Sequence, residues 1–342
     1  MNIRVGILTA PHIDYELREH TFFLKNVRIG IGFHWDRHED QEFAGELEIL
    51  PIPNPTLKGG KPWETAVNTL DLEDYLCSVI SSEMSANSPM ELLKAHAVIS
   101  RSWAMRAIEK PNHEGFHVCA DDHCQRYEGL YRMNERAVQA VRETAGQVLL
   151  YGDEVCDCRY YKCCGGKTEI WRTCWEDIDV PYIQSVECPY CGRISERTLS
   201  LVLNNYDQET KDFHDWKVVY TEDELDEIVN SRHSGIGHVI KLEPLHRGVS
   251  GRIDRLQITG TNRSEIIGKE LNIRYALSKK CLYSSWFEVT HENGLWILTG
   301  HGWGHGAGLC QIGAAQMAEE GFTHEQILAH YYVGTRIGVA AK

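Results

Sequence analysis

Alternating apolar and polar positions near the N-terminus predict a β-rich segment. The stretches IRVGILTA, TFFLKNVRIGIGF and FAGELEILPI have this pattern, and turn-forming residues bound each of them. The connector PIPNPTLKGGKP is rich in proline and glycine and ends the region. We therefore expect an N-terminal β-rich segment over residues 1–62, followed by a larger domain over residues 63–342.

The pattern then becomes helical. The stretch DLEDYLCSVI begins with Asp71, a suitable N-cap, and SSEMSAN interrupts the helical pattern after it. The segment SPMELLKAHAVISRSWAMRAIEK then has Ser88 at the N-cap, Pro89 at the first helical position and Glu91 at the third, which predicts a capping box. Because this second helix is apolar on nearly all sides, we expect it to be buried.

Strands and helices are mixed along the rest of the chain, without regular alternation. A helix begins at Asn134, a hairpin of QVLLY and VCDCRYY turns around Gly152, and a later helix is capped by Thr221. RIDRLQITG, WFEVT and LWILTG are predicted strands, and two helices close the chain, the second capped by Thr323. This order predicts an α+β fold with mixed β-sheets, a buried long helix and C-terminal helices.

Charge and hydropathy narrow the range of partners. The formal net charge of −14 at pH 7 argues against nucleic acid, because phosphate binding needs a basic face. There is no run of 18 apolar residues, so we expect no membrane span. The first residues, MNIRVGILTAPHIDYELREH, lack the basic, apolar and small-residue regions of a signal peptide.

Cysteines are numerous and clustered. Most of the 12 cysteines lie in short segments, which favours metal sites or local disulfides over scattered core thiols. The stretch CPYC, from Cys188 to Cys191, is compatible with half of a structural zinc site or with a redox pair. A local disulfide or free thiols are equally compatible with this spacing.

The segment HEGFHVCADDHCQRYEG carries imidazole and thiol groups that suit zinc. His113, Cys119 and Cys124 could supply three ligands and leave the fourth position open. The spacing alone also allows a Cys119–Cys124 disulfide, or free thiols in a polar loop.

Glu83 lies in the predicted break between the two early helices. It could be an ordinary surface carboxylate in a connecting loop. However, it follows a helix C-terminus, where the partial charge is negative, and it lies between two apolar helices. Both effects would raise its pKa, as a general acid at neutral pH requires.

The stretch GHGWGHGAG, from Gly300 to Gly308, is a glycine-rich loop. Glycines allow positive φ angles and a close approach of the backbone to a ligand. We expect such a loop to display His301, Trp303 and His305, with the indole as a platform for a sugar ring. A turn with solvated histidines is the alternative, and a helical His-x3-His metal pair is disfavoured by the glycines.

Three segments together resemble the SpoIID/LytB family. They are SSEMSANSPMELLKAHAVISRSWAM, CADDHCQRYEG and GHGWGHGAGLCQIGAAQMAEEGFTHEQILAHYYVGTRI, and they occur in the family's order within residues 69–338. The resemblance implies a peptidoglycan lytic transglycosylase, a carbon–oxygen lyase. Such enzymes cleave the bond between N-acetylmuramic acid and N-acetylglucosamine and leave a 1,6-anhydro end, in sporulation members on glycan stripped of stem peptides.

The resemblance also implies roles for individual residues. It makes residues 63–342 the catalytic domain, Glu83 the single catalytic acid/base, and His113, Cys119 and Cys124 the ligands of a zinc cofactor. The expected substrate-binding residues are Gln125, Tyr127, His301, Trp303, His305 and Gln311.

Two other functions are compatible with the sequence, one from the resemblance and one from the cysteines. The family includes amidase enhancers, so the chain could bind glycan without cleaving it and stimulate a cell-wall amidase. It could also be a structural protein stabilised by zinc. Peptidoglycan strands as partners imply a place in the cell envelope, although the sequence carries no signal peptide to support it.

Overall fold

The structure is a computed structural model that describes residues 1–31, 36–54, 56, 60–85, 87–203 and 214–339. The described residues form two compact units. Unit 1 comprises those within Met1–Cys158, Leu201–Tyr206 and Arg336–Lys342, and unit 2 comprises those within Arg159–Ser200 and Asp207–Thr335. No described helix has both the length and the apolar character needed to cross a membrane.

The strands in chain order are β1 (Asn2–Ala10), β2 (Tyr15–Leu17), β3 (Thr21–Ile29), β4 (Arg37–Ala44), β5 (Glu46–Ile52), β6 (Trp63–Asp71), β7 (Val118–Cys119), β8 (Gln147–Tyr151), β9 (Glu154–Val155), β10 (Tyr160–Tyr161), β11 (Asp215–Thr221), β12 (Val239–Arg247), β13 (Ile253–Gly260), β14 (Ser264–Gly268), β15 (Phe287–Glu292), β16 (Leu295–His301), β17 (Leu309–Cys310) and β18 (Arg336–Val339). The helices are α1 (Leu72–Glu83), α2 (Met90–Glu109), α3 (Glu135–Glu143), α4 (Trp171–Cys174), α5 (Glu196–Val202), α6 (Glu222–Arg232), α7 (Glu270–Ala276), α8 (Gln311–Glu319) and α9 (His324–Tyr331), with a 3₁₀ turn at Cys191–Arg193. The predicted α+β class is confirmed.

Unit 1 contains three sheets. The largest has the order β5-β6-β1-β7, in which β1 pairs antiparallel with β6 and parallel with β7. A meander orders β2-β3-β4, and β8 pairs with both β9 and β18. The domain boundary expected near residue 62 falls inside this unit, because β1 from the N-terminal segment shares a sheet with β6, which begins at Trp63.

The second and third predicted N-terminal strands differ from the observed ones. TFFLKNVRIGIGF corresponds to β3, and its last two residues lie outside the described part of the chain. FAGELEILPI is divided between β4 and β5 at Gly45, where φ is +97° and a Cβ would lie 2.6 Å from the Thr69 carbonyl oxygen. Gly45 therefore lets the chain leave the β2-β3-β4 sheet and enter the sheet of β6.

Three helices pack together in unit 1. Asp71 caps α1 as predicted, since its carboxylate accepts a hydrogen bond from the Glu73 amide at 2.8 Å. Helix α2 is buried along most of its length, also as predicted, and contacts α1, α3 and β8. Asn134 caps α3 as expected.

The capping box predicted at Ser88 is wrong. Helix α2 begins at Met90, with Pro89 in the N-cap position and no side-chain cap. The Pro89 carbonyl accepts the first hydrogen bonds, from the amides of Leu92 and Leu93. Ser88 is therefore one residue too early to cap the helix, and it is buried instead.

Unit 2 is built around two antiparallel sheets, β11-β16-β15 and β12-β13-β14. Their apolar side chains form one core with those of α6 and α7, and its members include Trp216, Leu225, Leu256 and Phe287. The predicted strands RIDRLQITG, WFEVT and LWILTG correspond to β13, β15 and β16, and the two closing helices to α8 and α9. Thr221 and Thr323 form complete capping boxes.

The hairpin around Gly152 is confirmed only in part. Strands β8 and β9 pair across Gly152–Asp153, but β9 ends at Val155. The remainder of VCDCRYY does not continue it, because Tyr160–Tyr161 pairs with β17 in unit 2.

Candidate functional site

The sequence predicted that Glu83 lies in a break between two helices, but the structure makes it the last residue of α1. The buried apolar side chains of Val79 and Ile80 hold this end of the helix in the core, and Glu83 itself is partly buried. One carboxylate oxygen, Oε1, accepts a hydrogen bond from the backbone N–H of Arg126 at 2.9 Å. The carboxylate therefore lies at the negative end of a helix, held in place by a donor from a distant segment.

The donor segment is a compact turn after β7. The Tyr127 amide donates to the Ala120 carbonyl at 3.0 Å, and the Cys124 amide donates to the Asp121 carbonyl at 2.9 Å. The Arg126 guanidinium binds the Asp122 carboxylate at 2.8 Å, with both side chains largely buried. These bonds fix the position of the Arg126 N–H and hence the orientation of the Glu83 carboxylate.

Gln125 and Tyr127 lie inside unit 1, contrary to their expected role in binding sugar. Gln125 is fully buried and accepts a hydrogen bond from the Tyr75 hydroxyl at 3.1 Å. Tyr127 is almost fully buried and donates to the Asn68 side chain at 2.7 Å. Side chains that are buried and bonded within the fold offer no surface to a glycan, so these two support the turn that carries Arg126.

Four possible metal ligands converge beside this turn. The ligand atoms of His113, Cys119, His123 and Cys124 all lie within 4.8 Å of one another. His113 Nε2 is 3.2 Å from Cys124 Sγ, and His123 Nδ1 is 3.5 Å from the same sulfur. The three residues named from the sequence are therefore brought together, and the structure adds His123, whose position next to Cys124 was the available signal.

The chemistry of this group suits zinc. Two imidazoles and two thiols match the donors that zinc takes in proteins. A hydrogen bond from Cys124, assisted by His123, lowers the pKa of Cys119 to about 4, so its sulfur is present as the thiolate that binds metal. His117, in the same segment, is not part of this group, and its Nδ1 accepts a hydrogen bond from the Arg4 amide at 3.0 Å.

Tyr75 is a buried phenol whose hydroxyl donates to Gln125, the residue that follows Cys124. Burial raises its pKa well above the usual value, and the negative charge of the Glu83 carboxylate adds to the effect. The segment that donates to Glu83 through the Arg126 amide also carries Cys119, His123 and Cys124, so the carboxylate and the possible metal ligands belong to one site in unit 1.

The glycine-rich loop lies in unit 2 and has the backbone geometry that the sequence predicted. Gly302, Gly304, Gly306 and Gly308 all have positive φ, from +72° to +99°. A Cβ at Gly306 would lie 2.5 Å from the Arg252 guanidinium carbon, so the lack of a side chain is also required for packing. The glycines therefore let the loop pack closely against its own unit.

His301 is the exposed histidine of this loop. Its side chain is 42% exposed, and its ring lies 5.0 Å from that of Trp286. Its Nδ1 is 2.6 Å from a carboxylate oxygen of Asp215, whose other oxygen lies 2.7 Å from His214. Burial raises the pKa of Asp215, but its hydrogen bonds with the two histidines outweigh this and leave the pKa below its usual value.

Trp303 and His305 are not displayed on the loop surface as expected. Trp303 is buried, with its ring 4.7 Å from that of Tyr283. His305 Nε2 donates to the Tyr160 carbonyl at 3.1 Å, and its Nδ1 accepts from the Ala307 amide at 3.1 Å. Burial, with help from nearby arginines, lowers the pKa of His305 well below the usual value, so the ring is neutral.

Gln311 is also buried, as the first residue of α8. Among the loop residues expected to bind sugar, His301 is therefore the one with a substantially exposed side chain.

His214, which precedes β11, and Asp215, which begins it, had not been singled out from the sequence. Their link to His301 depends on the pairing of β11 with β16, which opposes Asp215 to His301.

Comparison with known proteins places this site in a family. The family model described as stage II sporulation protein matches residues 62–151, which contain Glu83 and all four possible metal ligands of unit 1. The chain belongs to the SpoIID/LytB family. A second model, a domain of unknown function (DUF8618), matches residues 169–308 of this SpoIID/LytB member.

Individual relatives span most of the chain. An uncharacterized protein of Brachyspira hyodysenteriae is 33% identical over 86% of the chain and 72% of its own length. Stage II sporulation protein D of Bacillus subtilis is 27% identical over 87% of the chain and 82% of its own length. The amidase enhancer of Bacillus subtilis is 27% identical over 77% of the chain, but the match covers 40% of that protein.

Proposed function

We propose that this SpoIID/LytB protein is a peptidoglycan lytic transglycosylase in which Glu83 is the single acid/base. Membership of the family and the names of its relatives support a cell-wall-related role. The observation that carries the finer proposal is the Glu83 carboxylate, which is partly exposed at the end of α1 and oriented by the Arg126 N–H at 2.9 Å.

A single carboxylate is sufficient for this reaction. Glycosidases that activate water use a pair of carboxylates, whereas here the nucleophile is the C6 hydroxyl of the muramic acid itself. Glu83 first protonates the glycosidic oxygen as the bond breaks, and then removes the proton from the C6 hydroxyl as the anhydro ring closes. Intramolecular attack of this kind can lower the barrier by about 7–11 kcal/mol, which reduces what the protein must supply.

Zinc fits the group of two histidines and two cysteines beside Glu83. His113, Cys119, His123 and Cys124 would hold the ion, and the bound ion would supply a fixed cross-link and a positive charge. The segment between Cys119 and Arg126 would thereby be kept in the turn that orients Glu83. Gln125 and Tyr127 contribute to the same turn from inside the core.

His301 is the proposed sugar contact in unit 2. Its exposed ring carries one nitrogen bonded to Asp215, which leaves Nε2 as the atom available to a hydroxyl or N-acetyl group. The neighbouring Trp286 ring adds an apolar surface of the type that packs against sugar rings.

The proposal is tested by analysing the products of purified protein by mass spectrometry. Intact and peptide-stripped peptidoglycan are both used, with wild type, Glu83→Gln and the control Glu109→Gln, which changes an exposed glutamate at the end of α2. We expect 1,6-anhydro ends from wild type and control, and a rate at least about 10²-fold lower from Glu83→Gln with glycan binding retained. Reducing ends would indicate a hydrolase and contradict the proposal.

A glycan-binding enhancer is the second candidate, favoured by the match to a protein named amidase enhancer. In that case neither substrate would be cleaved, and wild type and the Glu83→Gln variant would stimulate a cell-wall amidase equally well. A structural protein stabilised by zinc, the third possibility, would bind metal but neither cleave nor bind glycan. The same product assay, with a glycan pull-down and an amidase assay, separates the three.

A further inference from the structure

A second group of four cysteines is buried in unit 2. Cys164, Cys188, Cys191 and Cys310 come from three distant parts of the chain, and their Sγ atoms all lie within 4.8 Å of one another. All four residues are buried, with at most 2% of their surface exposed. The group lies apart in sequence from the family match at residues 62–151, which contains the first group.

We propose that these four cysteines form a structural zinc site, in which one zinc ion is bound by four thiolates. Cys188 and Cys191 have the C-x2-C spacing common in such sites, and Cys164 and Cys310 complete the four. A closed set of four protein ligands is the pattern of a structural zinc, whereas a catalytic zinc keeps a position open.

The distances fit one tetrahedral ion. Zinc–sulfur bonds of about 2.3 Å give sulfur–sulfur separations of about 3.8 Å. No two of the four sulfurs are more than 4.8 Å apart, which is compatible with such a tetrahedron, and Cys164 Sγ lies 3.3 Å from Cys191 Sγ. A four-iron cluster would place each thiolate on a different iron around a cube, which requires a wider arrangement of the sulfurs.

Hydrogen-bond donors surround the sulfurs, as metal-bound thiolates require. The amides of Cys164 and Gly313 both donate to Cys310 Sγ, at 3.2 and 3.3 Å. The amide of Gly166 donates to Cys164 Sγ at 3.4 Å, and the Tyr331 hydroxyl lies 3.3 Å from Cys188 Sγ. Such bonds disperse the negative charge of four thiolates and orient them toward the ion.

The surrounding backbone leaves room for the group. Gly313 lies in the first turn of α8, and a Cβ there would come within 2.7 Å of Cys188 Sγ. Cys310 is the N-cap residue of α8, so its sulfur lies at the positive end of the helix, where a thiolate is stabilised.

The site would brace the glycine-rich loop. The loop leads directly into β17, which ends at Cys310. Cys164 follows Cys163, whose backbone exchanges hydrogen bonds with that of Trp303 at 2.8 and 3.0 Å. A zinc ion would therefore tie both sides of the loop that carries His301 to the start of α8. This role does not depend on the proposed transglycosylase activity.

X-ray absorption at the zinc edge tests the proposal on the folded full chain. The protein is purified under reducing conditions as the variant Cys119→Ser/Cys124→Ser, which removes the two thiols of the first group. We expect one zinc per chain with four sulfur ligands at about 2.3 Å. Absence of zinc, iron in its place, nitrogen or oxygen ligands, or a Cys164–Cys191 disulfide found by mass spectrometry would each overturn the assignment.

A second measurement uses variants in the ligands themselves. Elemental analysis should show that Cys188→Ser/Cys191→Ser loses one zinc per chain relative to wild type, whereas Cys174→Ser loses none. Cys174 is a matched control, because it is also a buried cysteine of unit 2 but lies outside the group. Equal zinc content in the double variant and wild type would overturn the proposal.

Discussion

The ion pair between Arg101 and Glu73 gives the sharpest prediction about stability. Arg101 projects from the middle of α2, and only 1% of its side chain is exposed. Its Nε and Nη2 atoms each bind one oxygen of Glu73 at 2.7 Å, and its Nη1 donates to the Gln147 carbonyl at 2.9 Å. The pair therefore joins the first turn of α1 and the start of β8 to α2.

The two partners differ in exposure, and this difference sets the expected magnitudes. Glu73→Gln leaves a buried guanidinium without its counter-charge, a type of change that costs about 3–5 kcal/mol. Arg101→Met leaves the Glu73 side chain, which is 36% exposed and can reach water. Its main cost is the loss of the donor to the Gln147 carbonyl, about 1–3 kcal/mol. We thus expect the conservative change at Glu73 to destabilise the protein more.

The free energies are measured by urea unfolding of wild type, each single variant and the double variant. Hydrogen–deuterium exchange of α2 peptides reports the same loss locally. We expect the double variant to cost at least about 1 kcal/mol less than the sum of the singles, because the two residues share the interaction. Glu109→Gln, in the more exposed pair with Arg106, is the control and should cost about 1 kcal/mol or less. A similar small cost for Glu73→Gln would refute the reasoning.

Three further predictions concern the two units. Cys119→Ser/Cys124→Ser should lower metal content by one zinc per chain in elemental analysis, and unchanged metal would exclude this group as a site. Gly308→Ala should lower the free energy of unfolding in urea by at least about 2 kcal/mol, because φ at Gly308 is +88° and a Cβ would collide with the Arg159 carbonyl oxygen. A smaller decrease would mean that the loop can relax around the new side chain. Folding lowers the pKa of His305, so as the pH falls the unfolded chain takes up the His305 proton before the folded chain does. The free energy of unfolding should therefore fall by up to about 1.4 kcal/mol per pH unit below about pH 6.5. This component of the pH dependence should disappear in His305→Gln, and an unchanged profile would contradict the assignment.

The local sequence determined much of the secondary structure. Asp71, Asn134, Thr221 and Thr323 each cap the helix that the sequence predicted, because a cap depends on residues within one turn. Ser88 failed as a cap because Pro89, one residue further on, takes the N-cap position. The positive φ angles of the glycine-rich loop were likewise a local property of its composition.

The residues of the candidate site were harder to assign. Glu83, Cys119 and Cys124 could be named from the sequence, because the resemblance to the SpoIID/LytB family chose among the alternatives that residue types and spacing left open. Whether Gln125, Tyr127 and Trp303 face a ligand or the core could not be read from spacing, since the same side chains satisfy a buried network equally well.

Tertiary structure alone decided which distant groups meet. The Arg126 amide reaches Glu83, and β11 brings Asp215 to His301, through pairings between segments far apart in the chain. The cysteines at positions 164, 188, 191 and 310 could be counted in the sequence, but not grouped. The physical reason is that capping and backbone preferences act over a few residues, whereas a site depends on long-range packing that no local pattern records.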